Sequence, residues 1–321
     1  MYMFPNTQTG RTSLSRPTRE RLATKYHVHL DQRGVLTVMH PIVYAGPVLG
    51  RSPVVTNLVD VMADWDIACP DQAQALTLNV IPGTGPILLI QYRKPPTSTW
   101  QFGPRGFRLS YRRHCATKPH SGIVIVQPRG PLGTISVRLR AEAAANLLGE
   151  RMRDFLDAQI GLDDLFGAGP VSGLEEILAD ARTSAERFAC VEKFILTNLR
   201  ARQADPVASQ AAALLRRNPR LRVSQLASRF DISERHLLRS FRAKFGMGAK
   251  EFARIVRIER VMAMRARGVA WADIACMIGF CDQAHMVNEF TEIVGVPPAQ
   301  LVGDKKGRPI RNTGFSDVAG P

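Results

Sequence analysis

The 321-residue sequence contains no apolar run that approaches the ~18–20 residues of a membrane-spanning helix. Its first 21 residues are polar and include four arginines, without the apolar stretch of a secretory signal. The five cysteines form no Cys-x-x-Cys pair, which argues against a disulfide scaffold and an all-cysteine zinc site. We therefore expect a cytoplasmic protein with no membrane partner, no metal and no other cofactor.

Acidic residues are outnumbered by basic ones, but unevenly along the chain. Lys and Arg total 43 against 28 Asp and Glu, which gives a formal net charge of +15 and predicts a polyanionic partner. Residues 206–267 carry a net charge of +11, whereas 268–302 contain four acids and no Lys or Arg. This boundary falls inside one predicted domain, so it bears on function more than on folding.

The first part of the chain has the pattern of an α+β protein that begins with a β-rich domain. Residues 1–29 are predicted to form a flexible basic arm, and 30–140 a small β-sandwich or barrel. Ile135, Val137 and Leu139 alternate with polar residues and should share one face of a strand. Seven short apolar runs support this domain: Val35–Met39, Val54–Val61, Ala75–Ile81, Ile87–Tyr92, Phe107–Tyr111, Gly122–Val126 and Thr134–Arg140.

Helical periodicity replaces the strand pattern from Ala141 onward. Residues 141–205 are predicted to form an acidic helical connector with helices at 141–148, 150–159, 172–182 and 184–202, and we expect it to carry homodimer contacts. Residues 206–302 are predicted to form an all-helical domain, and 303–321 a flexible basic tail.

The helical domain contains two similar units, at 226–246 and 274–295. Each has a short helix, a polar turn and a longer amphipathic helix, which is the layout of a helix-turn-helix. Three residue pairs match at offsets of 48 or 49 positions: Ala227 with Ala275, Phe241 with Phe290, and Gly246 with Gly295.

The second helix of the first unit has a cationic side and an apolar side. At 100° per residue, Arg235, Arg239 and Arg242 fall within about 60° of one another. The apolar residues fall between about 200° and 300° and are predicted to be buried: Leu237, Leu238, Phe241 and Phe245. Asp231 or Ser233 is expected to cap the helix.

We predict that this helix enters the major groove of double-stranded DNA. The predicted contact residues are Ser233, Arg235, His236 and Arg239, with Arg242 and Lys244 on phosphates.

The second unit is chemically different. Its second helix offers Gln283, His285 and Asn288, which can pair with bases but cannot neutralise phosphate. Two interpretations are open: weak base reading, or a packing and partner surface. Arg254 and Arg257, on the helix between the units, are expected to hold either acids of the domain or phosphates.

These residues resemble the AraC/XylS family of bacterial transcription regulators. The resemblance covers about 206–301 and implies two helix-turn-helix units joined by a long helix, each placing one recognition helix in successive major grooves. Its principal motifs are Leu226-Ala227, Ser233-x-Arg235-x-x-Leu238-Arg239-x-Phe241, Gly246, Ile274-Ala275, Gly279-Phe280, Asp282-Gln283-Ala284-His285, Phe290, Gly295 and Pro298. The chain departs from the family pattern at Gly248-Ala249, Asn288 and Leu301.

The N-terminal half resembles the cupin-like sensor domains of such regulators, on Ala63–Asp66 and Ile123–Leu148. The resemblance implies a domain that senses a small-molecule effector or dimerises, and RNA polymerase is a further expected partner.

Enzymatic interpretations compete with this one. The histidines of the β region suggest a metal-dependent cupin: His27, His29, His40, His114 and His120. Cys281 beside His285 suggests a reactive thiol of a DNA-repair protein, although the chain lacks that class's nucleophile motif. A third interpretation is an interaction module with a degenerate second unit. A ligand pocket is a further possibility in the β region, with candidate lining residues Trp65, Tyr92, Trp100, Phe102 and Tyr111 and either Arg112 or Arg113. We expect no catalytic residue.

Overall fold

The computed structural model describes residues 29–30, 36–38, 52–74, 78–93, 98–102, 108–110, 114–117, 122–149, 154, 159–199 and 206–301. The strands in these ranges are β1 (His29–Leu30), β2 (Leu36–Val38), β3 (Val59–Ile67), β4 (Leu78–Val80), β5 (Ile87–Gln91), β6 (Ser98–Phe102), β7 (Arg108–Ser110), β8 (His114–Thr117), β9 (Val124–Pro128), β10 (Leu132–Leu139) and β11 (Gln159–Gly161).

The helices in the same ranges are α1 (Pro53–Leu58), α2 (Pro70–Gln74), α3 (Ala141–Leu148), α4 (Leu162–Phe166), α5 (Ala168–Asp180), α6 (Ser184–Asn198), α7 (Pro206–Arg217), α8 (Val223–Arg229), α9 (Glu234–Phe245), α10 (Ala249–Ala266), α11 (Trp271–Ile278), α12 (Gln283–Val294) and α13 (Pro298–Leu301). None of these helices is long and apolar enough to cross a bilayer.

The described strands form two sheets, as the β-rich prediction for the N-terminal half requires. One sheet has the order β1-β2-β4-β9-β6-β7, and the other β11-β8-β5-β10-β3. β10 lies between β5 and β3 and is antiparallel to both. Ile135, Val137 and Leu139 are buried in one apolar cluster with residues of α3, α5 and α6. The predicted common face of this strand is thus confirmed.

One predicted strand segment begins as a helix. The apolar run Val54–Val61 divides into α1 and the start of β3. Ser52 caps α1, its Oγ accepting a hydrogen bond from the Val54 N–H at 3.3 Å, and Pro53 occupies the first turn. A serine followed by proline is a helix-start signal that outweighs the β propensity of the two valines.

The connector is helical, with bounds that differ from the predicted ones. α3 matches the prediction for 141–148, whereas α5 begins at 168 and α6 ends at 198. α4 was not predicted. The predicted helix at 150–159 lies mostly outside the described residues, and its last position belongs to β11.

A buried polar cluster attaches the connector to the five-stranded sheet. Arg187 of α6 donates to Asp64 at 2.7 Å and to Asp66 at 3.2 Å, both on β3. Its guanidinium also lies 4.4 Å from the centre of the Tyr92 ring. Burial raises the pKa of Tyr92, and the neighbouring Asp64 carboxylate, which accepts its hydroxyl hydrogen bond, raises it further. The cluster holds α6 in a fixed position on the sheet.

A second polar cluster joins the β region to the C-terminal helices; we call it the interdomain cluster. Glu259 of α10 accepts hydrogen bonds from the Thr84 N–H at 2.9 Å and the Thr84 hydroxyl at 3.1 Å. Arg138 of β10 and Arg216 of α7 each lie 3.6 Å from its carboxylate, and Arg216 also pairs with Glu142. Burial lowers the pKa of Arg138, and the charge of Glu259 opposes that shift.

Apolar and backbone contacts surround the interdomain cluster. Ile81, Ile123 and Ala141 belong to the same buried cluster as the C-terminal helices. The Gly122 N–H donates to the Ile293 carbonyl, in the last turn of α12, at 2.7 Å. The β region therefore contacts both the helix between the two units and the second unit itself.

We expect Glu259→Gln to lower the free energy of unfolding by about 3–5 kcal/mol, because it removes the carboxylate that lies 3.6 Å from the buried Arg138 guanidinium. Urea denaturation measures the change. Asp273→Asn is the matched control, since Asp273 is an exposed carboxylate of α11 whose loss should cost less than about 0.5 kcal/mol. Equal midpoints for the two variants would contradict the structural role assigned to Glu259.

Candidate nucleic-acid interface

The first helix-turn-helix is formed by α8 and α9, joined by a turn at 230–233. Asp231 adopts a left-handed backbone conformation with φ of 51°, which a short polar residue tolerates in a tight turn. Ser233 is the cap of α9, because its Oγ accepts from the His236 N–H at 3.1 Å. The structure thus decides between the two predicted caps and gives Ser233 a role in beginning the helix.

Aromatic packing fixes the rotation of α9. Phe241 and Phe245 are fully buried, and their rings lie 5.8 and 5.2 Å from that of Phe252 on α10. Leu237 is also fully buried. With this side of α9 against the core, the opposite side must face solvent.

Three arginines occupy the solvent side of α9. Arg235, Arg239 and Arg242 are exposed and, with Leu238 and Ala243, line an open groove of about 350 Å³. We call these three residues the arginine face. Guanidinium groups bind phosphate as paired donors and can read guanine through two hydrogen bonds. The predicted arginine stripe is therefore present as a continuous surface.

Leu238 differs from the prediction. It was expected in the buried stripe with Leu237, but it is 37% exposed and lies beside the arginine face. The angular pattern put it at the margin of the apolar stripe, where neighbouring helices decide burial. Leu238 is therefore an apolar member of the groove that its angular position alone did not reveal.

The remaining predicted residues of the first unit lie in two places. His236 is exposed at the start of α9. Lys244 is only 7% exposed, and its Nζ donates to the Ser209 hydroxyl of α7. The structure brings His236 near the beginning of the arginine face and turns Lys244 toward the helix behind it.

The second helix-turn-helix consists of α11 and α12. Asp282 caps α12 by accepting from the His285 N–H at 2.7 Å. Gln283, His285 and Asn288 are all exposed, as base reading or partner binding would require. The His285 ring meets Phe280 edge to face at 5.4 Å, and its Nδ1 accepts from the Cys281 backbone N–H at 3.5 Å.

Arg254 and Arg257 pair with acids of the second unit. Arg257 forms two hydrogen bonds with Glu289, at 2.7 and 2.6 Å, and Arg254 pairs with Glu292 at 2.5 Å. Of the two open interpretations of these arginines, the structure favours the one in which they hold acids. These ion pairs join α10 to α12.

Arg220, which precedes α8, was not identified from the sequence, although it contacts the second unit. Its guanidinium donates to the carbonyls of Ile278 and Cys276, both at 3.2 Å, at the end of α11. Gly279 ends that helix with φ of 91°, and a Cβ there would overlap the Arg220 side chain. An arginine between α7 and α8 carries no sequence signal for this contact, because its partners are backbone carbonyls.

The residues of the enzymatic interpretations are only partly described. His114 is buried, with Nδ1 accepting from the Gln91 N–H at 3.2 Å and Nε2 lying 3.4 Å from Glu175. In the ranges that the structure covers, no three His, Cys, Asp or Glu side chains are grouped as metal ligands. His27, His40, His120, Tyr111, Arg112 and Arg113 lie outside the described residues, as do the predicted arm up to position 28 and the tail at 303–321.

The aromatic set is described only in part. Trp65 and Tyr92 are buried with polar partners, Ser136 and Asp64. Nothing is described of the side chains of His29, Trp100 and Phe102.

A family model described as "Helix-turn-helix domain" matches residues 226–303. The C-terminal region is an AraC-type helix-turn-helix domain. The AraC-type domain makes the chain a DNA-binding regulator of transcription, in agreement with the exposed arginine face. No curated protein matches the sequence.

Several solved structures are similar to the chain at low identity. ToxT from Vibrio cholerae O395 is 11% identical, with 78% of this chain and 100% of that chain covered and a TM-score of 0.44. The C-terminal domain of AraT, a response regulator from Geobacillus stearothermophilus, is 17% identical, with 37% and 98% covered and a TM-score of 0.31. The AraC-like transcriptional activator CuxR is 16% identical, with 58% and 68% covered and a TM-score of 0.23. At these TM-scores the likenesses carry no conclusion about ligand or partner.

Arg239→Ala in the AraC-type domain should weaken binding to a preferred duplex by about 1–3 kcal/mol, the value of a good arginine–base contact. Fluorescence anisotropy with labelled duplex gives the affinity. Arg182→Ala is the matched control, because it removes the same charge from an exposed position before α6. An unchanged affinity in a folded Arg239→Ala variant would remove Arg239 from the interface.

Asn288→Arg tests whether the second unit reaches DNA. An added arginine at this exposed position should raise affinity and steepen the slope of log K against log salt by about 0.9, the contribution of one neutralised phosphate. Asn288→Gln, which adds no charge, should leave the slope unchanged. A slope equal to that of the unmodified protein would favour a packing or partner surface for α12.

Proposed function

We propose that the chain is a sequence-specific regulator in which the first helix-turn-helix supplies most contacts to phosphates and bases. The observation that carries this proposal is the arginine face, exposed on a recognition helix whose other side is packed against Phe252. Arg235 and Arg239 are assigned to bases or phosphates, and Arg242 to phosphate. The buried position of Lys244 supports leaving it out of the contact set.

The second unit is assigned a smaller share of the binding energy. The described residues 268–301 contain no Lys or Arg, and Arg254 and Arg257 are paired with its acids. Few counterions are therefore released where α12 approaches DNA. Gln283, His285 and Asn288 are proposed to read bases weakly, with Asn and Gln suited to adenine.

The N-terminal half is proposed to sense a small-molecule effector or to dimerise, and to act on DNA binding through its contact with α10. The interdomain cluster supports this coupling, because Thr84 and Arg138 of the β region both meet Glu259. An effector shifts such an equilibrium only if it binds one domain arrangement more tightly than another. A homodimer and contact with RNA polymerase are part of this proposal, as is a cytoplasmic location beside the DNA.

No catalytic activity is assigned to the chain. The thiol hypothesis required His285 to activate Cys281, but the lone pair of His285 Nδ1 accepts the Cys281 backbone N–H. That geometry favours a structural role for the histidine in the turn. The family match also favours regulation.

Selection of bound duplexes from a random pool, followed by affinity measurement against salt concentration, tests the function. We expect one well-defined sequence block matched to α9, weaker preferences in the adjacent groove, and a salt slope that falls when any residue of the arginine face is replaced. Binding with a steep salt slope but no recovered motif would contradict a sequence-specific regulator.

A further inference from the structure

We propose that Leu238 is a specificity residue that reads the C5-methyl group of a thymine in the major groove beside the bases or phosphates held by the arginine face. The inference rests on the proposed function, since it requires α9 to enter that groove. It adds a base preference that neither the charge of the helix nor its family match supplies.

Leu238 lies among the residues of the arginine face. Single exposed apolar residues are common on protein surfaces and mean little alone. Leu238, however, is 37% exposed in the groove that Arg235, Arg239 and Arg242 line on the proposed recognition helix. Its apolar neighbour in that groove is Ala243. The recognition surface therefore has an apolar edge beside its cationic centre.

The Leu238 side chain is supported by the turn that begins α10. A Cβ at Gly248 would lie 3.3 Å from a Leu238 Cδ atom, so the leucine packs directly over the turn that begins α10. Glycine at 248 leaves room for this packing. Its two neighbours in the chain, Met247 and Ala249, are buried and hold the turn in position. A leucine supported in this way presents a defined apolar surface and loses little conformational entropy on binding.

The chemistry of leucine limits which base it can recognise. Leucine has no donor or acceptor, so it cannot pair with the polar edges of guanine, cytosine or adenine. Thymine alone presents a methyl group in the major groove. Burying one such group against leucine changes affinity by about fourfold, as one buried CH₂ equivalent does in other contexts. The effect is small beside an arginine–guanine contact, but it is specific for one atom group.

Deoxyuridine provides a direct test, because it removes the methyl group of thymine and leaves base pairing unchanged. In a duplex recovered by selection, each thymine of the α9 block is replaced singly by deoxyuridine and the dissociation constant is measured. For the unmodified protein we expect one replacement to weaken binding about fourfold. For Leu238→Ala the same replacement should have no effect, whereas Leu238→Met, which keeps an apolar side chain, should retain most of it.

Met277→Ala is the matched control, because Met277 is 66% exposed but lies on α11, away from the arginine face. It should leave the deoxyuridine profile of the unmodified protein intact. Thermal unfolding of each variant confirms that the domain is folded.

The outcomes separate this inference from the proposed function. A selected motif without thymine in the α9 block, or a deoxyuridine effect that persists in Leu238→Ala, would overturn the role of Leu238 and leave sequence-specific binding intact. Failure to recover any motif would instead contradict the function on which the inference rests, and the inference with it.

Discussion

The contact of three phenylalanine rings decides which side of the first recognition helix faces solvent. Phe241 and Phe245 of α9 pack against Phe252 of α10, all three fully buried. A helix with one side fixed in this way has no freedom to rotate, so its arginines are exposed together. The cationic surface is thus a consequence of core packing, and the same packing turns Lys244 toward Ser209.

The two units share a backbone plan but use charge differently. In the first, Arg235, Arg239 and Arg242 are exposed on the outer side of the recognition helix. In the second, Arg254 and Arg257 of α10 are paired with Glu292 and Glu289, which holds α12 against the linking helix. Arginines committed to carboxylates in this way contribute little to the neutralisation of phosphate. The asymmetry is therefore a property of the fold as well as of the sequence.

Much of this arrangement could be predicted because it depends on local periodicity. The repeat, the arginine stripe and the alternation in β10 follow from side-chain spacing alone. Leu238 was misassigned because it stands at the margin of the apolar stripe, where it contacts the glycine turn at 248 but remains 37% exposed. Lys244 was predicted to contact phosphate because of its charge. Its angular position, opposite Arg235 on the helix, already indicated that it faces the core.

Contacts between distant segments could not be predicted. Arg220 binds backbone carbonyls, which have no sequence signature. Glu259 is one of several charged residues on α10, and its burial depends on a loop of the β region around Thr84. Ser52-Pro53, by contrast, is a helix-start signal present in the sequence. The apolar run after it has strand character, and for this reason the segment was predicted as a strand.

The interdomain cluster and the recognition helix are connected through α10 and α7, since α7 carries both Arg216 of the cluster and Ser209, which accepts a hydrogen bond from Lys244 of α9. Glu259 and Phe252 both lie on α10, seven residues or about 10 Å apart along its axis. If Thr84 and Arg138 move away from Glu259, a buried charge loses its partner or becomes exposed to solvent. Small displacements of the β region therefore cost free energy. α10 therefore contacts the β region through Glu259 and supports the recognition helix through Phe252.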